Sequence, residues 1–204
     1  MSDGRVFMGS ILAAAIAGGA AFFLYTKQVN STVPDTDGPG PNLVIEVAGQ
    51  ANGRVVIDLY ADKAPRHAQR LVELARTGAY DNVVFHRVID GFMAQTGDVQ
   101  YGKLGGNLEL AGTGGSALPD LPLEPSDIPF RRGVVGMARG SDPDSANSQF
   151  FIMYGAGDHL NGDYTVVGHV IEGMEVVDAI RKGDFDLNGR VENPDYMVKV
   201  TVEE

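Results

Sequence analysis

Four side chains within a stretch of nine residues have the chemistry to bind an uncharged but polar substrate. They are one arginine, Arg87, two large apolar side chains, Phe92 and Met93, and one amide, Gln95. Arginine is always charged and offers several hydrogen-bond donors in a fixed plane. A surface that is mostly apolar and carries one strong donor suits a neutral substrate with a polar backbone. It does not suit a phosphate, a sugar or a carboxylate.

The composition narrows the classes of partner. The chain has 204 residues, 44% of them hydrophobic, which is enough for one domain with its own core. Its formal net charge is −11. An acidic surface repels nucleic acid and anionic membrane surfaces, so nucleic acid is not an expected partner. The absence of cysteine from the sequence excludes disulfides, thiol catalysis and thiolate metal sites.

The N-terminal segment is apolar enough to enter a membrane. Residues 6–25 are all apolar or small except for one serine, and a helix of this length spans about 30 Å. One interpretation is a secretory signal cleaved at a small-x-small site within residues 15–21. The other is a retained anchor, which we favour because cleavage would leave the apolar residues 22–25 on the mature protein. A retained segment would also place Tyr25 and Lys27 at the membrane interface.

Three regions follow from this pattern. Residues 1–25 are predicted to be a transmembrane anchor or signal peptide. Residues 26–42 are rich in proline and glycine and predict a linker. Residues 43–204 are predicted to form the folded domain, held outside the cytoplasm in either case.

The predicted domain consists of many short strands and two helices. Strands are predicted at 43–47, 54–59, 80–89, 134–138, 149–154, 165–171 and 197–202, and helices at 64–77 and 173–181. Residues 91–129 are rich in glycine and show little periodicity. This pattern favours a closed antiparallel barrel. Alternation along the strand 80–89 would point His86 and Arg87 to opposite faces, so they are not expected to line one pocket.

Three blocks of sequence together resemble the cyclophilin family of peptidyl-prolyl cis-trans isomerases. Residues 85–98 read FHRVIDGFMAQTGD, residues 133–152 read GVVGMARGSDPDSANSQFFI, and residues 159–168 read HLNGDYTVVG. The similarity runs with gaps, in the order of the family, from about residue 43 to residue 202. It implies a mainly β fold, a closed eight-stranded antiparallel barrel capped by two α-helices. It also implies an outer groove that holds a polypeptide around an X-Pro bond.

The resemblance also implies which residues form the site. Arg87 matches the catalytic arginine of the family. The other matched positions are Phe92, Met93, Phe151 and Leu160 in the proline pocket; Gln95 and Gln149, which hold the substrate backbone; Ala138, Arg139 and Gly140, where the residue before proline binds; His159 and Tyr164 at the edge of the pocket; and Gly112 in a glycine-rich loop. The expected partners are proline-containing polypeptides, and no cofactor is needed.

The chemistry needs no nucleophile, base or metal. Rotation about a peptide bond has a barrier of about 18–20 kcal/mol because the planar form is stabilised by resonance. An apolar pocket solvates the planar, charge-separated form poorly, although this contribution is hard to isolate. Arg87 could donate a hydrogen bond to the twisted nitrogen or hold the neighbouring carbonyl, and an interaction that is stronger in the twisted state lowers the barrier. A decrease of roughly 7 kcal/mol gives about a 10⁵-fold acceleration.

The chain departs from the family at several positions. His159 stands where many members have tryptophan, a contact for the inhibitor cyclosporin, so weak cyclosporin binding is expected. Tyr164 stands where many members have histidine, and its aromatic ring should keep the wall of the pocket. Arg139 and Gly140 replace an Asn-Ala pair, which changes the backbone contacts expected there. Residues 99–111 are longer than in the shortest members, as in bacterial-type cyclophilins, which suits an exported, membrane-tethered enzyme of the bacterial periplasm.

Two functions remain open at this point. The first is an isomerase that assists the folding of exported or membrane proteins, and the second is a proline-binding chaperone or scaffold without turnover. The presence of Arg87 beside an intact set of pocket residues favours the enzyme. Residues 184–195 resemble the start of a calcium loop, but Pro194 intrudes and the final glutamate is lacking, so a polar turn is expected there. No metal site is predicted.

Overall fold

The computed structural model describes residues 36–204. The predicted membrane segment or signal, residues 1–25, lies outside these described residues, as does most of the predicted linker. Within residues 36–204, neither helix is long and apolar enough to cross a membrane.

Nine strands and two α-helices make up the described domain. The strands are β1 (Asn42–Ala48), β2 (Gly53–Leu59), β3 (Val83–Val84), β4 (Arg87–Ile89), β5 (Met93–Thr96), β6 (Val134–Met137), β7 (Phe150–Met153), β8 (Val166–Glu172) and β9 (Tyr196–Glu203). The helices are α1 (Pro65–Arg76) and α2 (Met174–Ala179), and a short 3₁₀ helix covers Asp158–Leu160. Pro65 occupies the first turn of α1, where its missing N–H costs no hydrogen bond.

All nine strands belong to one antiparallel sheet with the order β3-β9-β1-β2-β8-β6-β7-β5-β4. Its first and last strands, β3 and β4, are separated in sequence only by Phe85 and His86. Because such a connection spans roughly 10 Å at most, the two edges of the sheet meet at this point. The sheet therefore curls round on itself.

The mainly β architecture with two helices is confirmed, but the sheet has nine strands instead of eight and is curled, not closed into the predicted barrel. The strand predicted at 80–89 is interrupted at Phe85 and His86, where the chain passes from one edge of the sheet to the other. In addition, β5 lies in a region predicted to be irregular. Among the described residues β3 and β4 form no ladder with each other, so the chain itself, rather than strand pairing, joins the two edges.

The core lies on the inner, concave face of the sheet. One cross-strand row of this face consists of Val88, Ala94, Ile152 and Val135, paired in that order across β4, β5, β7 and β6. All four are buried and belong to the main hydrophobic core. Since side chains alternate along a strand, their immediate neighbours in sequence point to the outer face.

The loop between α2 and β9 covers the free edge of β4. Val88 donates its N–H to the carbonyl of Gly189 at 2.8 Å, and Gly183 donates to the carbonyl of Val88 at 2.9 Å. Val191 donates to the carbonyl of His86 at 3.2 Å. An edge strand is thereby given partners on both sides, and the loop is fixed next to Arg87.

Candidate active site

A single row of residues crosses the outer face of the sheet and carries much of the predicted site. Arg87 pairs with Gln95 between β4 and β5, Gln95 pairs with Phe151 on β7, and Phe151 pairs with Gly136 on β6. Directly paired residues share a face of a sheet. The guanidinium, the amide and the aromatic ring are therefore neighbours outside the core.

Neutral acceptors hold the guanidinium of Arg87. Its Nε donates to the backbone carbonyl of Asn188 at 3.0 Å and its Nη2 to the Oδ1 of the same residue at 3.0 Å. Its Nη1 lies 3.2 Å from the Oε1 of Gln95 and 3.8 Å from the Sδ of Met93. The side chain is thus oriented without being neutralised.

Within residues 36–204, no carboxylate pairs with the guanidinium of Arg87. Burial lowers the pKa of Arg87 from its ordinary value because the charged form is partly desolvated. The group nevertheless stays protonated at any physiological pH. A half-buried cation with unshared charge is well suited to interact with a developing lone pair or a carbonyl oxygen.

Two amides carry the hydrogen-bond network further along the groove. Gln95 donates its Nε2 proton to the Oε1 of Gln149 at 3.0 Å. Gln149 in turn donates from Nε2 to the carbonyl of Gly114 at 2.8 Å. This series of hydrogen bonds fixes the orientation of each amide, because the oxygen of Gln95 accepts from Arg87 and the oxygen of Gln149 accepts from Gln95.

An apolar pocket lies beside this row on the outer face. Its buried members are outside the main core cluster and are Met93, Phe130, Phe151, Met153 and Leu160. The Phe151 ring stacks on Phe130 at 5.7 Å and meets Tyr164 edge-on at 6.0 Å, while the Phe92 ring lies 5.4 Å from that of His159. The structure therefore brings the four predicted proline-pocket residues, and the two edge residues, to one place.

Gly136 makes room for this pocket. A Cβ atom at this position would lie 2.5 Å from Cζ of Phe151 and 2.6 Å from Cε1 of Phe130. Its backbone φ is not positive, so the requirement for glycine comes from the space taken by the two rings. The sequence contains no signal that identifies Gly136 in this role.

A cleft of about 550 Å³ borders the two glutamines. The predicted site residues among its lining are Gln95, Gly112, Ala138, Arg139, Gly140 and Gln149. The guanidinium of Arg139 stacks over the ring of Tyr164 at 4.3 Å and donates to the carbonyl of Asp163. This stacking explains why an arginine is accommodated where the family has asparagine.

Three residues that sequence reasoning missed shape the site. Asn188 orients Arg87 from 101 positions away, and Phe130 backs the Phe151 ring. Asp98, fully buried, accepts hydrogen bonds from the backbone N–H groups of Gly112 and Gly114 at 2.8 and 2.9 Å. The position of Asp98 at the end of the block 85–98 could have indicated its role. Nothing in the local sequence indicates the roles of Asn188 and Phe130.

The prediction that His86 and Arg87 cannot line one pocket is wrong. The strand ends before His86, so alternation does not apply, and both residues line a cleft of about 1060 Å³. Both ring nitrogens of His86 are buried without a hydrogen-bond partner, although the Val84 carbonyl and Gln149 are near. Burial lowers the pKa of His86 to about 4, so the imidazole is neutral at physiological pH.

The segment that resembles a calcium loop is a set of turns. The carboxylate of Asp195 accepts from the backbone N–H groups of Gln50, Ala51 and Arg181, and Asp184 accepts from Asp186. In residues 36–204 no three histidine, aspartate or glutamate side chains are grouped to hold a metal ion.

Comparisons with known proteins agree with this geometry. The family model "Cyclophilin type peptidyl-prolyl cis-trans isomerase/CLD" matches residues 43–202. A probable peptidyl-prolyl cis-trans isomerase of Brucella suis is 55% identical over 154 residues, which cover 74% of this chain and 79% of that protein. Peptidyl-prolyl cis-trans isomerase-like 3 of Gallus gallus is 37% identical over 134 residues, covering 64% of this chain and 77% of that protein.

Solved structures show the same fold. A Cryptosporidium parvum cyclophilin, crystallised in the presence of the dipeptide Ala-Pro, has a TM-score of 0.67 at 24% identity, covering 80% of this chain and 99% of that one. A cyclophilin from Hirschia baltica has a TM-score of 0.66 at 25% identity, covering 81% and 74%. The predicted family and enzyme class are confirmed, and this chain belongs to the cyclophilin-type peptidyl-prolyl cis-trans isomerases.

Proposed function

We propose that Arg87 is the catalytic group of this isomerase and that the pocket around Phe151 receives the proline ring. The observation that carries the proposal is the position of the guanidinium. It lies on the outer face, 3.8 Å from Met93 and one cross-strand position from Gln95, and neutral acceptors alone hold it. An arginine held by a carboxylate would have to break that ion pair before it could donate a hydrogen bond to the substrate.

In this proposal the apolar pocket, the two glutamines and Arg87 each have a separate role. The apolar pocket holds the proline ring and leaves its amide poorly solvated, which disfavours the planar, charge-separated form. Gln95 and Gln149, which are hydrogen-bonded to each other, offer amide groups to the peptide backbone beside the ring. As the C–N bond twists, the prolyl nitrogen regains a lone pair, and a donor from Arg87 stabilises the twisted state more than the planar one.

A cis/trans exchange assay on a short Ala-Pro peptide tests this proposal. We expect wild type to exceed the uncatalysed rate, and Arg87→Ala to lose about 10²–10³-fold in kcat/KM, as for the loss of one transition-state donor. Arg87→Lys, which keeps the charge without the planar fork, should be intermediate. Arg66→Ala removes an exposed guanidinium from α1 and serves as the control with wild-type activity.

Two outcomes would contradict the proposal in different ways. If wild type and Arg87→Ala both give the uncatalysed rate while the peptide still binds, the chain is a proline-binding scaffold. If Arg87→Ala is as active as wild type, the chain is an isomerase whose catalytic group lies elsewhere.

We further propose that the substrates are exported or membrane proteins and that residues 1–25 hold the domain outside the cytoplasm, at the bacterial periplasmic membrane. The support is the apolar run of residues 6–25 followed by a linker rich in proline and glycine. The mature N-terminus of protein from the membrane fraction tests this proposal. A start at Met1 or Ser2 supports the anchor, a start near Gly18 or Phe22 supports a cleaved signal, and recovery from the cytosol alone refutes both.

Weak binding of cyclosporin is also proposed, because His159 rather than a large indole lies against Phe92. Inhibition of the exchange assay by cyclosporin measures it, with His159→Trp as the variant expected to bind more tightly. Tight inhibition of the wild-type enzyme would refute this part.

A further inference from the structure

A large cleft lies next to Arg87. It has a volume of about 1060 Å³ and lies between residues 108–113 and residues 181–194. This exceeds the roughly 300–1,000 Å³ of ordinary ligand pockets. Arg87 and Gln95 line this cleft and also belong to the catalytic row, so the cleft is continuous with the catalytic groove.

Arg190 extends the catalytic row into this cleft. It forms an antiparallel bridge with Arg87 and a second bridge with Asp184. The row therefore runs in the order Asp184, Arg190, Arg87, Gln95, Phe151. Arg190 thus lies on the side of Arg87 that faces away from the proline pocket, and the two arginines share a face.

Two like charges in directly opposed positions destabilise a sheet unless a counter-charge is present. Neither Arg87 nor Arg190 forms a salt bridge within residues 36–204, and the Arg190 side chain makes no hydrogen bond there. By contrast, the guanidiniums of Arg54 and Arg132 are paired with carboxylates. Within the described residues, this pair of arginines is therefore without a salt bridge, although Asp184 stands across the bridge from Arg190.

Buried polar atoms in the same cleft also have no partners. Both ring nitrogens of His86 and the Nε of Arg181 are buried without a hydrogen bond, and both residues line the cleft. His86 is 8% exposed, and the Val84 carbonyl and the Gln149 side chain lie near its ring. The lining of the cleft also includes the exposed carboxylates of Glu109, Asp184 and Glu192, and Arg190 is exposed as well.

We propose that this cleft is an extended subsite for the polypeptide substrate and that Arg190 selects a carboxylate side chain a few residues from the X-Pro bond. This inference rests on the proposed function, since it assigns the segment beyond Arg87 to the same substrate. The substrate carboxylate forms the salt bridge that neither Arg190 nor Arg87 makes within the described residues.

Matched peptide pairs test the subsite. Each peptide has an Ala-Pro core flanked by three residues on each side, with either Glu or Gln at one flanking position. The exchange assay is run near 0.15 M salt, where the net negative charge of the rest of the domain is screened beyond about 8 Å. At one or two positions on one side of the core, we expect kcat/KM for Glu to exceed that for Gln by about fivefold, as for a partly exposed ion pair.

Charge variants test whether Arg190 causes the preference for Glu over Gln. Arg190→Gln should reduce the Glu-to-Gln ratio to about 1, and Arg190→Glu should invert it. Arg66→Gln, which changes the net charge equally from the surface of α1, should keep the wild-type ratio. Binding of the same peptides, followed by NMR titration, should show the same order of affinity.

The outcomes separate this inference from the proposed function. A wild-type enzyme that turns over every peptide with a ratio of 1 refutes the subsite and leaves the isomerase mechanism intact. A preference for Glu that persists in Arg190→Gln also refutes it. If wild type turns over none of the peptides, the proposed function fails and the subsite fails with it.

Discussion

Replacement of Gly136 by alanine should damage both stability and catalysis through one defined clash. The added Cβ would lie 2.5 Å from Cζ of Phe151 and 2.6 Å from Cε1 of Phe130. Carbon atoms prefer separations near 3.5 Å, so each ring must move by about 1 Å. Phe151 stacks on Phe130 and meets Tyr164 edge-on, and these neighbours limit where its ring can go.

The expected magnitude follows from the tight packing at this site. Overpacking by one methyl group costs about 1–3 kcal/mol, which for a domain of this size lowers Tm by about 2–12 °C. A displacement of about 1 Å in the wall of the proline pocket should lower kcat/KM for an Ala-Pro peptide by about 10–100-fold. Thermal unfolding and the exchange assay measure the two effects on the same preparation.

Gly105→Ala is the matched control for Gly136→Ala. No atom lies within 4 Å of the Cβ position at Gly105, but its φ is +80°, so alanine there introduces backbone strain alone. We expect a comparable loss of Tm, with kcat/KM unchanged. If Gly136→Ala loses stability but keeps full activity, Phe151 does not form part of the surface that binds proline. If it loses neither, the packing argument is wrong.

Two further predictions concern buried groups away from the proline pocket. The pKa of His86 is lowered to about 4, so between about pH 6.5 and 4 the unfolded state binds the proton first, and stability falls as pH falls. Between pH 7 and 4, the free energy of unfolding measured in urea should fall by roughly 3 kcal/mol more for wild type than for His86→Gln. Equal pH dependence of the two proteins would contradict this prediction. Glu124 accepts from the N–H groups of Arg66 and His67 at the start of α1, and from Nδ1 of buried His67 at 2.6 Å. Glu124→Ala should therefore cost about 1–3 kcal/mol in urea unfolding, and an effect no larger than that of exposed Glu73→Ala would refute the capping role.

The local sequence was sufficient wherever a short segment decides its own structure. Pro65 and the apolar spacing after it predicted a helix at 64–77, and α1 covers Pro65–Arg76. Strands were predicted at 43–47 and 54–59, and β1 and β2 lie there and pair antiparallel. The family blocks predicted the enzyme class, because the specific order of Arg87, Phe92, Met93 and Gln95 carries the similarity.

The tertiary structure alone decided features that depend on contacts distant in sequence. The break at Phe85 and His86 arises because the chain must pass between the two edges of one curled sheet, and a strand pattern over 80–89 contains no sign of this. That break places His86 in the same cleft as Arg87.

The sequence by itself determined which side chains are available for the chemistry, since an arginine, two amides and a set of apolar rings are fixed by residue identity. Only the folded sheet decided their neighbours. Cross-strand pairing sets Arg87 between Gln95 and Arg190, and a loop about 100 residues later supplies Asn188 as its acceptor. These contacts are made between strands and loops far apart in the chain, so the physical environment of the guanidinium is a property of the fold.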